Sequence, residues 1–311
     1  MMIKNKKILT FAIIFLTTIG IFSFSKNVVH SDEEENFFLD LSVPKKPSDL
    51  KILIESYPDV DFDIEYDSAK QDWHILMSVD GRKGDFWWAE GKMLPEEEIV
   101  NKEKYWSLVY DYPKDVPDPS KFTQEDIKKI REETAPSKRK NGAKSTPFFY
   151  DVLYDCKTRA TLEQHIKSVV FLGKRVNLHE RLEEPLARVE KRIKKLAERD
   201  SEVKEFIKKL GDVQSYSWRE IQDSGNRSFH SMGVGIDVLP KGWGQKNIYW
   251  AWRRDIDGDN WMLLPLERRW MPPESVIKAF EKEGFIWGGK WIIWDNMHFE
   301  YHPEQILKSK E

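Results

Sequence analysis

The chain has very little cysteine: Cys156 is the only one among 311 residues. A single cysteine cannot form an internal disulfide. We expect Cys156 to be a small buried apolar residue rather than a reactive thiol. It also lies far from the amino terminus, which disfavours a lipid anchor on this thiol.

An excess of basic charge is also missing. Lys and Arg number 50 against 53 Asp and Glu, which gives a net charge of −3 and a pI near 6.2. Nucleic-acid binding requires a basic surface, and this composition provides none. The lysine-rich segments 138–140 and 191–195 are interpreted as a solvated linker and a solvated helix face. We therefore predict no nucleic-acid partner.

Long hydrophobic runs are scarce as well. The chain is 40% hydrophobic and 33% charged, which is typical of a soluble globular protein and excludes a membrane transporter. The exception is the uncharged run from Ile8 to Phe24, which follows Lys4, Lys6 and Lys7. This layout is typical of a secretory signal, and Ser23-Phe24-Ser25 offers a cleavage site.

This amino-terminal run predicts export to the periplasm or cell envelope. Its 17 residues are slightly short for a membrane-spanning helix, which needs about 20. Removal by a signal peptidase and retention as a membrane anchor both stay open.

The length allows about two domains. Residues 26–49 are polar, acidic and proline-containing, as expected of a tether. The predicted organisation is a signal peptide or anchor (1–25), the tether (26–49), a strand-rich accessory region (50–133), a linker (134–146) and a carboxyl-terminal domain (147–311). The accessory region could bind a wall polymer or cover part of the second domain.

Local patterns predict several elements. Asp80-Gly81 between apolar segments predicts a β-hairpin, and residues 123–133 predict a helix capped by Thr123. Apolar residues recur at helical spacing over residues 178–198, with the helix proper beginning near Pro185. Residues 248–252 and 291–294 are aromatic and β-branched, and each of these two segments predicts a strand.

Helices followed by strands predict an α+β domain whose antiparallel sheet carries the functional residues. Asp255 to Asp259 resembles the start of a calcium loop. However, Asn260 and Leu266 stand where such a loop requires Gly and Glu, so a hairpin turn is favoured.

Two histidine blocks carry the chemistry. One is Ser228-Phe229-His230-Ser231-Met232-Gly233-Val234-Gly235-Ile236-Asp237 and the other is Asp295-Asn296-Met297-His298-Phe299-Glu300-Tyr301. His230, Asp237 and His298 provide the three ligands of a catalytic zinc site, which leaves one position for water. Asp295 is placed to act on that water as a base. Spacing alone does not exclude ordinary polar and turn residues at these positions.

Neighbouring residues have supporting roles in this hypothesis. Ser228 is a candidate to orient a metal ligand, and Glu300 is a candidate to orient a ligand or to help the base. His302 could replace one of the histidine ligands, but Pro303 ends the strand directly after it and disfavours that choice.

Together with a third segment, these blocks resemble the zinc D-alanyl-D-alanine carboxypeptidase family, particularly its endolysin-like L-alanyl-D-glutamate peptidase branch. The matching patterns, within residues 146–311, are Ser-x-His-x-x-Gly-x-x-x-Asp, Gly-Phe-x-Trp-Gly-Gly-x-Trp (284–291) and Asp-x-x-His-Phe-Glu. The resemblance implies a hedgehog/DD-peptidase-like fold and a peptidase that cuts peptidoglycan stem peptides.

The resemblance also implies roles for individual residues. His230, Asp237 and His298 match the metal ligands, Asp295 matches the catalytic acid/base, and Arg219, in Tyr-Ser-Trp-Arg, matches an arginine that stabilises the oxyanion. One departure concerns the base, because many relatives have Glu where this chain has Asp295.

Two questions stay open at this point. A carboxypeptidase must bind a terminal carboxylate, for which Arg227, Arg253 and Arg254 are only candidates, so carboxypeptidase and endopeptidase activity are both possible. A catalytically inactive zinc module that recognises wall peptide or a protein partner is the alternative function. Eight tryptophans crowd this part of the chain, and we expect all but one or two to be core: Trp243, Trp250, Trp252, Trp261, Trp270, Trp287, Trp291 and Trp294.

Overall fold

The computed structural model describes residues 43–219 and 227–311. The predicted signal or anchor segment and most of the predicted tether lie outside the described residues. Within the described ranges, no helix is both long and apolar enough to cross a membrane. Residues Pro44–Glu311 form one compact unit.

Helices and short strands alternate along this unit. The helices are α1 (Ser48–Ser56), α2 (Gln124–Thr134), α3 (Pro136–Asn141), α4 (Phe148–Leu153), α5 (Arg159–Leu162), α6 (Glu183–Ala197), α7 (Ser201–Lys209), α8 (Trp250–Asp257), α9 (Glu274–Glu281) and α10 (Pro303–Lys308). The strands are β1 (Asp61–Asp67), β2 (Asp72–Val79), β3 (Arg82–Trp87), β4 (Tyr105–Trp106), β5 (Lys144–Ser145), β6 (Ile166–Phe171), β7 (Lys174–His179), β8 (Leu210–Gln214), β9 (Gly235–Pro240), β10 (Phe285–Trp287) and β11 (His298–Tyr301).

The amino-terminal sheet is an antiparallel meander in the order β1-β2-β3. Asp80 and Gly81 connect β2 to β3, and both have positive φ, 49° and 79°. This is the backbone that a two-residue hairpin turn requires, and it explains why Asp-Gly stands there. The predicted hairpin is confirmed.

The predicted helix after Thr123 is also confirmed, because Thr123 and Asp126 form a reciprocal capping box at the start of α2. The helix predicted over residues 178–198 is correct only from Glu183, where α6 begins with Pro185 in its first turn. Leu178 belongs to β7, where it pairs with Lys167. It continues the apolar pattern because strand and helix face the same core.

Three predictions between residues 248 and 294 are wrong. The segment 248–252 is not a strand, because α8 begins at Trp250. Residues 291–293 form bends after a 3-10 turn over Gly288–Lys290, and Trp294 has no regular secondary structure. Asp255 to Asp259 is the end of α8 leading into a second 3-10 segment (Gly258–Leu263), not a hairpin turn. Tertiary packing overrides strand propensity here, since Trp250 is buried against Trp261 with ring centroids 4.9 Å apart.

The second sheet has the order β10-β11-β9-β8, with every neighbouring pair antiparallel. One face is apolar: Ile236, Val238 and Phe299 are fully buried there, and Phe299 stacks on Phe280 of α9 with centroids 4.0 Å apart. The other face carries the polar residues described below. Helices and antiparallel sheets in one unit are compatible with the predicted α+β class.

Candidate functional site

Two residues of the histidine blocks meet directly across the second sheet. In the register of β9 and β11, Asp237 lies opposite His298 and Gly235 lies opposite Glu300. Side chains alternate between faces along a strand, so these polar groups share one face while Ile236 and Phe299 point into the core. The alternation along His298-Phe299-Glu300 and Gly235-Ile236-Asp237 thus separates the site from the core.

The third residue, His230, comes from a 3-10 turn (Phe229–Met232) that precedes β9. The Ser228 hydroxyl accepts a hydrogen bond from the His230 backbone N–H at 3.2 Å. Gly233 ends the turn at φ +72°, and a Cβ there would lie 2.8 Å from the His179 backbone nitrogen. Glycine therefore allows the sharp return that brings His230 over the sheet.

The ligand atoms of these three residues converge in the protein interior. The nitrogens and oxygens of His230, Asp237 and His298 all lie within 4.8 Å of one another. His298 Nδ1 is 2.8 Å from Asp237 Oδ1, and His230 Nε2 is 3.2 Å from Asp237 Oδ2 and from His298 Nδ1. A set of two imidazoles and one carboxylate in this arrangement suits zinc.

Each imidazole is oriented through its other nitrogen. His230 Nδ1 lies 2.7 Å from the carbonyl oxygen of Ser215, so it donates there and leaves the Nε2 lone pair facing the cluster. His298 Nε2 lies 2.8 Å from Glu300 Oε1, which leaves Nδ1 facing Asp237. Metal-bound histidines typically have such outer partners, so this donor set fits a metal ion.

The electrostatics of the cluster favour a positive charge between the carboxylates. Burial opposes the charged form of His298, but Asp237 and Glu300 outweigh it and raise the pKa of His298 well above its usual value. Burial likewise opposes ionisation of Asp237, yet His230 and His298 hold the pKa of that carboxyl well below its usual range. A proton and a metal cation would compete for this position.

Asp295 is partly buried close to the cluster, with its Oδ1 atom shielded from solvent. Its Oδ1 atom has no hydrogen-bond partner among the described residues, and its backbone N–H donates to the Gly288 carbonyl at 3.0 Å. Burial, reinforced by the negative charges of Asp237 and Glu300, raises the pKa of Asp295 to about 8 despite the opposing effect of His298. A carboxyl with such a pKa can both accept and return a proton near neutral pH.

Glycines allow close packing around both groups. A Cβ at Gly288 would lie 2.8 Å from the Asp295 carbonyl oxygen, and one at Gly235 would lie 3.1 Å from His298 Cε1. The glycines of the Trp-Gly-Gly and Gly-x-Gly segments therefore leave room for the functional side chains.

The other candidate residues differ in how closely they contact the cluster of His230, Asp237 and His298. The Ser228 hydroxyl caps the His230 turn, and Glu300 contacts His298 directly. Arg219 has an exposed side chain and precedes residues 220–226, which lie outside the described residues. Ser217, two residues before it, donates its backbone N–H to the His230 carbonyl at 3.0 Å, so this segment lies against the site.

The three arginines that could clamp a terminal carboxylate already have partners. Arg227 pairs with Asp151 at 2.6 Å and donates to the Cys156 carbonyl. Arg253 forms an ion pair with Asp257, and Arg254 lies 4.8 Å from the centroid of Trp250. Cys156 is fully buried, as expected, and burial raises the pKa of its thiol well above the usual value.

The tryptophans divide between core and surface. Four of the eight, Trp250, Trp261, Trp287 and Trp294, are fully buried, and Trp270 is partly buried against the core. Trp243 and Trp252 are 38% and 39% exposed and stack on each other with centroids 5.3 Å apart. Trp291 is half-buried, and its ring centroid lies 5.9 Å from that of His298. The Trp291 ring therefore lies beside one of the converging ligands.

Sequence reasoning missed two contributors. The Ser215 carbonyl that orients His230 is a backbone group, which no side-chain motif reveals. Glu304 is buried and accepts from His302 Nδ1 at 2.7 Å. His302 itself lies outside the three-residue cluster and contacts Glu300 and Glu304 instead. The alternate spacing of Glu300, His302 and Glu304 in the sequence was the signal that could have revealed these contacts.

Comparison with known proteins adds two matches. Residues 222–301 match the family model described as D-alanyl-D-alanine carboxypeptidase. The match supports the zinc D-alanyl-D-alanine carboxypeptidase family and a peptidase activity. It spans His230, Asp237, Asp295 and His298, while Arg219 precedes it. Residues 49–110 match a domain of unknown function. No curated protein and no solved structure matches the chain.

Proposed function

We propose that the protein is an exported zinc metallopeptidase that hydrolyses peptidoglycan stem peptides. The observation that carries the proposal is the convergence of His230, Asp237 and His298 within 4.8 Å beside the partly buried Asp295, whose shielded Oδ1 atom has no hydrogen-bond partner among the described residues. A binding module needs the first feature only. A hydrolase needs both, since a base must accept the proton of the attacking water.

In this proposal His230, Asp237 and His298 hold zinc, which when bound acidifies water and polarises the scissile carbonyl. Asp295 accepts the proton of the attacking water at Oδ1 and returns it to the leaving amine. Arg219 offsets the negative charge of the tetrahedral oxyanion. Glu300 and the Ser215 carbonyl hold the two imidazoles in the tautomers that leave their inner nitrogens free of protons.

Within this class we favour the endopeptidase that cuts between L-alanine and the D-glutamyl residue. A carboxypeptidase binds a free terminal carboxylate, usually with a cation. Arg227 and Arg253 are ion-paired with Asp151 and Asp257. Neither guanidinium is therefore available for a terminal carboxylate without first breaking an ion pair.

The proposed location follows from the chemistry of the amino terminus. Lys4, Lys6 and Lys7 followed by the apolar run Ile8 to Phe24 support export to the periplasm or cell envelope. The tether that follows would leave the peptidase near its polymeric substrate, either released or attached to the membrane.

Digestion of purified muropeptides tests the activity, with products identified by mass. We expect cleavage between L-alanine and D-glutamate that a chelator abolishes and added zinc restores. Release of D-alanine alone would replace the endopeptidase with a carboxypeptidase. No product from any muropeptide, with zinc bound, would favour the inactive binding module.

A further inference from the structure

A row of ionisable side chains extends from His298 Nε2, the ring nitrogen that faces away from Asp237. After the 2.8 Å contact from His298 Nε2 to Glu300 Oε1, Glu300 Oε2 lies 3.3 Å from His302 Nε2, which is within ion-pair distance but without hydrogen-bond geometry. His302 Nδ1 lies 2.7 Å from Glu304 Oε1, and the Tyr57 hydroxyl donates to Glu304 Oε2 at 2.7 Å. The row therefore connects a proposed metal ligand to Tyr57, which lies 247 residues from Glu304 in sequence.

The members of the row are shielded from solvent. The side chains of His302 and Glu304 are each 1% exposed, and that of Glu300 is 12% exposed. Burial opposes the charge of His302, but Glu304 and Glu300 raise its pKa to about 9. The His302 ring thus lies between two carboxylates, hydrogen-bonded to Glu304 and within ion-pair distance of Glu300. Buried charged groups of this kind are costly unless they are paired.

The far end of the row belongs to the segment that matches a domain of unknown function. Tyr57 directly follows α1, and the same segment contacts α10 at further points. Gln305 donates to the Leu108 carbonyl at 2.6 Å and accepts from the Tyr110 N–H at 2.8 Å. Lys308 pairs with Asp49 at 2.6 Å. Residues 49–110 therefore hold α10, the helix that carries Glu304.

We propose that residues 49–110 position the proposed metal site through α10. Tyr57, Glu304 and His302 are positioning residues that fix the orientation of Glu300 and, through it, of His298. This inference rests on the proposed zinc site. Tyr57 fixes one oxygen of Glu304, whose other oxygen holds His302. His302 in turn faces the Glu300 oxygen that does not contact His298. Hydrogen bonds thus fix Glu304 and His302, and the electrostatic attraction between His302 and Glu300 restrains Glu300.

The test uses the full chain with Tyr57→Phe and Glu304→Gln, and Tyr105→Phe as the matched control. Tyr105 also donates to a glutamate, Glu98, at 3.0 Å in the same segment but outside the row. Two quantities are measured: the zinc dissociation constant by chelator competition, and the visible spectrum of the cobalt-substituted protein. The spectrum reports ligand geometry, which loss of packing elsewhere would not change.

We expect Tyr57→Phe and Glu304→Gln to weaken zinc binding, by up to about tenfold, and to shift the cobalt bands. Tyr105→Phe should do neither. Wild-type zinc affinity and cobalt spectra in both row variants, even with lowered melting temperatures, would overturn the positioning role and leave the metal site intact. Absence of metal binding by the unmodified chain would overturn the zinc site and this inference together.

Discussion

The two regions that match family models, residues 49–110 and 222–301, differ in the side chains that they bury. Among described residues 43–110, the buried side chains are apolar or aromatic, as in β2, where Trp73, Ile75, Met77 and Val79 face the core. Between residues 215 and 305, the buried set also includes His230, Asp237, Asn296, His298, His302, Glu304 and Gln305. Both regions contribute to one continuous apolar core.

Buried polar groups are the informative feature, because each costs free energy unless it is paired. The amino-terminal region has the composition of a structural support. The carboxyl-terminal region keeps groups such as Asp295 that do not favour folding. Under the proposed function, the reacting groups lie in the second region, and the first region supports them through the core that both share. The following predictions test this division.

The largest effect is expected at Asp295. Replacing it with Asn should lower kcat by roughly 100- to 10,000-fold with zinc retained, because a carboxamide cannot carry the proton. Steady-state kinetics with metal analysis on the same samples checks this. If Glu300→Gln is inactive with zinc bound while Asp295→Asn keeps its rate, the base has been misassigned.

Arg219→Ala should lower the rate by about 100- to 1,000-fold, the usual effect of removing an oxyanion donor. Zinc content should stay unchanged, since Arg219 is not among the converging ligands. The control is Arg159→Ala, which removes an exposed arginine paired with Glu163 at 2.8 Å. Equal rates for the two variants would remove Arg219 from the mechanism.

Much of the cluster of His230, Asp237 and His298 could be predicted from sequence, because its residues lie in two short blocks and strand alternation places Asp237 and His298 on one face. The fold between the blocks was predicted less well. The aromatic residues around Trp250 favour strands locally, yet they form α8 because Trp250 packs on Trp261. No local pattern could place Tyr57 beside Glu304, since that contact depends on tertiary packing.

A smaller effect is expected from Gly235→Ala. The added Cβ would lie 3.1 Å from both His298 Cε1 and the His230 backbone nitrogen. We expect zinc affinity to fall by about tenfold, measured by chelator competition. Gly244→Ala is the matched control, because a Cβ there meets nothing within 4 Å. Identical affinities would show that the site tolerates this crowding.

The smallest effect concerns stability without metal. The folded-state pKa of Asp295, about 8, exceeds the ordinary value of about 4 for an unfolded aspartate. Its contribution to stability is therefore present at low pH and is lost as pH rises from about 4 to about 8. Asp295→Asn should be more stable than the parent at pH 8, with a smaller gain at pH 5. Urea unfolding with a chelator measures both, and a pH-independent difference would contradict the assigned pKa.

The most direct measurement of the central claim is the zinc content of the purified full chain and of His230→Ala, Asp237→Ala and His298→Ala. His165→Ala serves as the control, because His165 contacts Asp155 and Glu180 outside the cluster. We predict about one zinc per chain in the parent and the control, and its loss or marked reduction in the three cluster variants. Full zinc occupancy in all three would contradict the account.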